Sequence, residues 1–245
     1  GNTHQAAGAL DAAVASYRES LALAPDQHNA WSALGQVLLA QGQPAAAEAA
    51  WRDGLTHTAA PAGLLNLLAT AAQRRGAVAE AEALFTRSLA HEPHSAPTEY
   101  NLANLCHDQG RLAEAITHHR TALAIDPGYM LAQTALLRAL QAACDFAGTR
   151  KATGAVLSSV DAGGDDPLAG PPQPVFPFAY LALPSTRAQQ RRCARQWVAR
   201  QLAPQIARGR DIQYDPRPAA ANDRLRIGYL SSDLHAHATA YLMAE

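Results

Sequence analysis

Apolar and small residues in the first half of this chain fall at helical rather than strand spacing, and the set returns at a fixed step. Trp31-x-x-Leu34-Gly35-x-x-Leu38 places one face of a helix at i, i+3, i+4 and i+7. Gly42 follows, where a residue free to enter the left-handed region ends a helix. Ala47-x-x-x-Trp51 and Leu55 then mark one face of a second helix. Leu65, Leu68-Ala69, Gly76, Ala81-x-x-x-Phe85, Leu89 and Pro93 repeat the pattern, and so do Leu102-Ala103, Gly110, Ala115-x-x-x-His119, Leu123 and Pro127. Gly42, Gly76 and Gly110 stand 34 residues apart, and Ala13, Ala47, Ala81 and Ala115 keep the same step.

A helix pair repeated every 34 residues with this punctuation is the signature of the tetratricopeptide repeat. A pair this short cannot cover its own apolar face, so neighbouring copies bury it for each other. The expected fold class is therefore mainly α, a tetratricopeptide right-handed superhelix over residues 1–148. Ala9 to Leu23 reads as the second helix of a broken first repeat, so the chain is expected to begin inside a longer protein. A fifth repeat begins near Met130 with Leu131, Leu136, Leu137 and Leu140, then departs from the pattern. Cys144-Asp145-Phe146 stands where the glycine turn belongs. A helix from about Thr149 to Val160 reads as a cap for the array.

Residues 149–222 are expected to hold that cap, a linker and a connecting helix. Asp161 to Phe178 is rich in Gly, Pro and Asp, which favours an extended connection. Pro171-Pro172-x-Pro174 offers a proline-rich ligand as the sharper reading and an ordered linker as the plainer one. A helix from Ser185 to about Ala207 has Ser185 as candidate N-cap and Trp197, Val198 and Leu202 as apolar anchors. Its arginines read as a solvated face, since no aromatic residues interleave with them as on a nucleic-acid surface. Periodicity then changes. Leu225-Arg226-Ile227-Gly228-Tyr229-Leu230 reads as a strand, Ser231-Ser232-Asp233 as a turn and His237 to Glu245 as the start of a helix. Residues 223–245 are thus expected to open an α/β lobe that is incomplete in this chain.

Composition narrows the partners. The chain is 48% hydrophobic but only 6% aromatic, which suits close-packed helices rich in alanine. A net charge of −1 offers no global field for nucleic acid or an anionic membrane. Cys106, Cys144 and Cys193 form no C-x-x-C pair, which argues against a disulfide scaffold or zinc ribbon and for a cytoplasmic setting. There is no apolar run of about 20 residues to span a membrane and no signal-peptide core at the start.

Two groups of residues are candidates for function. Amide side chains offer a donor and an acceptor each, which suits a bound peptide backbone, and Asn101 and Asn104 lie on the first helix of the fourth repeat. The equivalents of Asn101 are Ala33 and Leu67, so a sustained asparagine ladder is not expected, and packing or capping is the alternative role. His235 and His237 follow the only clear strand, where a histidine can take a proton from a hydroxyl near neutral pH; local packing is the plainer reading. Without a third ligand, His235-x-His237 is not read as a metal site. No serine–histidine–aspartate arrangement, P-loop or G-x-G-x-x-G is present.

From the fourth repeat onward the sequence resembles the protein O-GlcNAc transferase family. The resemblance rests on NLANLCHDQGRLAEAITHHRTALAIDP, on LQAACDF and above all on LRIGYLSSDLHAHATAYLM. It implies the start of a GT-B (Rossmann-like) lobe of an inverting glycosyltransferase, moving N-acetylglucosamine from UDP-GlcNAc to Ser or Thr hydroxyls of proteins without a metal or other cofactor. His237 matches the family's active-site histidine, and Thr239 is expected to line the same acceptor pocket. The repeats would present the acceptor protein or peptide, and most donor contacts would come from beyond this chain. A non-catalytic scaffold that binds partner peptides is the alternative from another class, and a sugar-nucleotide transferase with a non-protein acceptor is the third.

Overall fold

Every helix pair after the first turns on the same backbone device. In this computed structural model, which describes residues 2–164, 166, 168 and 174–201 (side chains from residue 9 onward), α2 (His28–Ala40) ends at Gln41, and Gly42 follows at φ 75°. Gly42 N–H donates to the Leu39 carbonyl at 2.9 Å and Gln43 N–H to the Leu38 carbonyl at 2.9 Å. These are the two crossed bonds of the Schellman motif, which satisfy carbonyls that the helix end leaves open. The device returns after α4 (Ala62–Arg74) at Gly76 (φ 76°) and after α6 (Ala96–Asp108) at Gly110 (φ 73°).

It returns a fourth time without glycine. After α8 (Met130–Ala142), Cys144 takes φ 54°, its N–H donates to Gln141 and Asp145 N–H donates to Leu140, each at 3.0 Å. Asp145 then caps the next helix by accepting from Gly148 N–H at 2.8 Å. The fifth repeat is therefore complete. Its second helix, α9 (Phe146–Asp161), begins three residues before the expected Thr149 and crosses residue 148, so it is a repeat helix rather than a separate cap.

The second helices are α3 (Pro44–His57), α5 (Val78–His91) and α7 (Leu112–Ile125). α1 (Asn2–Leu23) precedes them and reaches back past the expected start at Ala9. Helices pack in chain order, and small residues at the 34-residue step allow it: Ala47, Ala69, Ala81, Ala103 and Ala115 are wholly buried. At Gly35 an added Cβ would lie 2.0 Å from Trp51 Nε1, so the indole fills the space that glycine leaves. Trp51, Phe85 and His119 occupy equivalent positions, and each is at most 1% exposed.

The segment after α9 does the covering that α9 was expected to do. Val175, Tyr180 of the short α10 (Pro177–Leu181), Leu183 and Cys193 of α11 (Arg187–Gln201) join Met130, Leu137, Val156 and Val160 in one cluster. Gln196 reaches across to donate to the Val160 carbonyl at 2.9 Å. The anchors of α11 are thus Cys193 and Gln196; Trp197 meets Phe176 edge-on, and Val198 is 38% exposed. The cap of α11 is Thr186 rather than Ser185, in a reciprocal pair with Gln189: Gln189 N–H donates to Thr186 Oγ1 and Thr186 N–H to Gln189 Oε1. Arg187, Arg191 and Arg195 are exposed, whereas Arg192 pairs with Asp161. The expected strand, the end of the Ser185–Ala207 helix, Pro171 and Pro172 lie outside the described residues. There is no strand among the described residues.

Candidate functional site

The backbones of first helices come close to their next-but-one neighbours, α2 to α4, α4 to α6 and α6 to α8, whereas those of α3, α5 and α7 stay apart and α3 meets α5 only through long side chains such as the Arg52–Glu80 pair. The array therefore curves toward its first helices, which line the inner surface. Two rows of residues run across this surface at the 34-residue step. One is Ser32, Asn66, Tyr100 and Thr134; the other is Gln36, Thr70, Asn104 and Arg138. Both rows are uncharged until Arg138.

Asn101 and Asn66 connect the middle of the surface. Asn101 Nδ2 donates to Asn66 Oδ1 at 2.8 Å, and Asn66 Nδ2 donates to Thr98 Oγ1 at 2.6 Å. Thr98 in turn shares hydrogen bonds with Ser95 at 2.9 Å and with Ser88 at 3.5 Å, and Ser88 donates to the Ala62 carbonyl at 2.9 Å. Asn66 also lines a cleft of about 510 Å³ with Leu67, Ser95, Thr98 and Ile125. The Asn101–Asn66 bond is one pair rather than a sustained ladder, since the equivalents of Asn66 are Ser32, Tyr100 and Thr134. The residue facing Asn101 is not its 34-residue equivalent Leu67 but Asn66, one position earlier. Asn101 keeps its carbonyl oxygen outside that bond, because a carboxamide has one acceptor group and two donor hydrogens. Asn104 lies one turn further along α6, and its Oδ1 is buried with no hydrogen-bond partner. His107 Nε2, three residues on, is in the same condition.

Behind this surface, His119 is wholly buried in the aromatic slot of the fourth repeat, 5.8 Å from the Tyr100 ring centroid. Neither ring nitrogen finds a partner. Burial first, and then the positive fields of Arg138, His107 and His118, push its pKa down to about 4. It is a packing residue kept neutral. Its neighbour His118 faces the other way and meets the Glu99 carboxylate at 2.7 Å. Burial pushes the Cys193 thiol up to about 11 and raises Cys106 as well, so neither is a reactive thiolate.

The sequence candidates divide accordingly. Asn101 and Asn104 sit together on the inner surface, and Asn66 joins them although no periodic comparison singled it out. His235, His237 and Thr239 lie outside the described residues. Among the described residues, no three His, Cys, Asp or Glu side chains gather as metal ligands, and no helix is long and apolar enough to cross a membrane.

Comparison with known proteins agrees with the helix pairs. A family profile described as TPR repeat matches residues 1–42, and one described as Tetratricopeptide repeat matches residues 66–130. The chain carries tetratricopeptide repeats. No curated protein matches it. Among solved structures, MamA superimposes with a TM-score of 0.54 at 19% identity, over 64% of this chain and 91% of that one. PilW, a type IV pilus biogenesis factor, superimposes with a TM-score of 0.54 at 19% identity, over 63% and 72%. The human IFIT1 dimer with m7Gppp-AAAA superimposes with a TM-score of 0.51 at 18% identity, over 59% and 38%. At these identities the likeness concerns the fold alone.

Proposed function

We propose that this chain is a protein-interaction scaffold whose inner surface holds an extended segment of a partner protein. The observation that carries this reading is the Asn101–Asn66 amide pair between α6 and α4, with Asn104 one turn away. Asn101 Oδ1, which lies outside the pair's bond, and the second N–H of each paired amide can meet a peptide main chain without demanding a particular side chain. Curved repeat arrays provide the extended surface that such a ligand needs.

The test is binding of the 245-residue chain to an array of immobilised 12-residue peptides of varied sequence, with affinities of the hits measured by fluorescence anisotropy. Asn101→Ala removes about one main-chain hydrogen bond and should weaken all hits ~5-fold, the equivalent of ~1 kcal/mol. Absence of any peptide above background, from a chain whose circular dichroism shows it folded, would sink the proposal.

A second reading rests on the sequence of Leu225–Met243. In it the same surface delivers acceptor hydroxyls to a glycosyltransferase lobe, with His237 beside the reacting hydroxyl, Thr239 in the same pocket and UDP-GlcNAc as donor. Calorimetry with UDP-GlcNAc and UDP, without added metal and on a protein containing the complete lobe, decides it. Binding of neither leaves the scaffold reading alone.

A further inference from the structure

The inner surface ends in a slot unlike the rest of it. Between α8 and the segment 175–183 lies a cavity of about 290 Å³. Its floor is apolar, formed by Leu137, Val156, Val175 and Leu183, each at least nine-tenths buried. Leu131, 45% exposed, and Arg138 stand at its edge. The far wall carries Ala179 and Ala182, and the backbones of α10 and α8 stay apart above the core that Tyr180 shares with Met130 and Leu137. The slot is thus wide enough for one side chain and lined to hold an apolar one.

Arg138 gives the slot its second preference. It is exposed and makes no hydrogen bond or ion pair among the described residues, unlike Arg52, Arg75 and Arg111, each held by glutamates. In the preceding repeats its register position holds Asn104, Thr70 and Gln36. A positive charge therefore enters this row only where it borders the slot. The hydroxyl of Thr134, also on the wall, already donates to the Met130 and Leu131 carbonyls at 3.1 Å. Tyr100 and Gln141 also line the slot, so polar groups stand with the guanidinium around its apolar floor.

We infer that the slot selects the register of the bound peptide by taking a large apolar side chain with an Asp or Glu side chain one or two residues from it, paired to Arg138. This deepens the scaffold reading and rests on it: the amide pair holds main chain of any sequence, and the slot fixes which sequence sits there. The partner is an acidic-apolar segment internal to another protein.

The experiment uses the whole chain and an array of N-acetylated, C-amidated 12-residue peptides. Hits should be enriched in a large apolar residue next to Asp or Glu. Replacing that Asp or Glu by Asn or Gln in a fluorescein-labelled hit should weaken binding about 5–10-fold at low salt and less at high salt. Arg138→Gln should abolish that difference, leaving the neutral peptide's affinity unchanged. Ala182→Phe fills the slot from an exposed wall position, so folding is not at stake, and should cost the apolar preference. Peptides that bind with no acidic or apolar preference, or an Arg138→Gln chain that still discriminates Asp from Asn, overturn the inference while the scaffold reading stands. Absence of any peptide binding overturns both. Peptides bound only with a free terminal carboxylate overturn the choice of a side-chain carboxylate.

Discussion

Lowering the pH should weaken the fourth repeat through one residue. His119 is fully buried with both ring nitrogens unpartnered, and its pKa falls from the ordinary 6.5 to about 4. The folded state therefore holds it neutral, while the unfolded chain takes up a proton near pH 6.5. Stability is complete above that value, falls as pH drops through the unfolded pKa and stops falling below the folded one. A gap of roughly 2.5 units corresponds to ~3 kcal/mol in total, of which ~2 kcal/mol is already lost between pH 7.5 and pH 5. The groups whose positive fields reach this ring and add to the effect are Arg138, His107 and His118. The chain has ten histidines, so the comparison must be made against a variant. His119→Phe is the natural one, because Phe85 and Trp51 hold the equivalent slots and the change removes two unsatisfied buried nitrogens. Urea unfolding followed by circular dichroism at both pH values gives four free energies. The parent should lose ~2 kcal/mol more than His119→Phe between the two pH values. Equal losses in parent and variant would refute the argument, since any residual dependence would then come from other groups.

Two further changes test the repeat itself. Cys144→Gly should raise stability by ~1 kcal/mol, because a non-glycine residue at φ 54° carries a left-handed penalty that the glycines of the other repeats avoid; an unchanged or lower melting temperature would count against it. Trp51→Ala should cost ~3–5 kcal/mol, since the indole is 1% exposed and packs directly over Gly35, and an unchanged melting curve would show that it is not core.

What could be read from the sequence was whatever the backbone repeats. Each 34-residue unit needs a left-handed turn residue, small residues where helices approach and one large residue between them. Gly42, Gly76 and Gly110, the Ala47–Ala81–Ala115 series and the Trp51–Phe85 pair announce those needs by type. The fifth repeat was misjudged at its turn because a cysteine fills the glycine's role. The hydrogen bonds at Gln141 and Leu140 are the same as at the other three turns, so the tertiary packing of α8 on α9 outweighs the local cost. Connector and α11 carry no period, and their contribution to the core through Val175, Tyr180 and Cys193 could not be read from spacing.

The amide pair was missed for a different reason, and it bears on how binding surfaces arise in such arrays. Periodic comparison asks which residues are equivalent, whereas contact asks which residues meet. Neighbouring first helices are related by a rotation as well as a translation, so a side chain at one position can face the position before its equivalent next door. Asn101 meets Asn66 across 35 residues while its equivalent Leu67 turns elsewhere. Core positions tolerate no such slip, because a buried face out of register loses its packing. The inner surface has no such constraint, so its residues are free to differ from repeat to repeat. That freedom is what allows one surface to carry carboxamides in its middle and a single guanidinium beside an apolar slot at its end. In the scaffold reading, specificity is therefore to be sought where the period fails, at Asn66 and at Arg138, rather than where it holds.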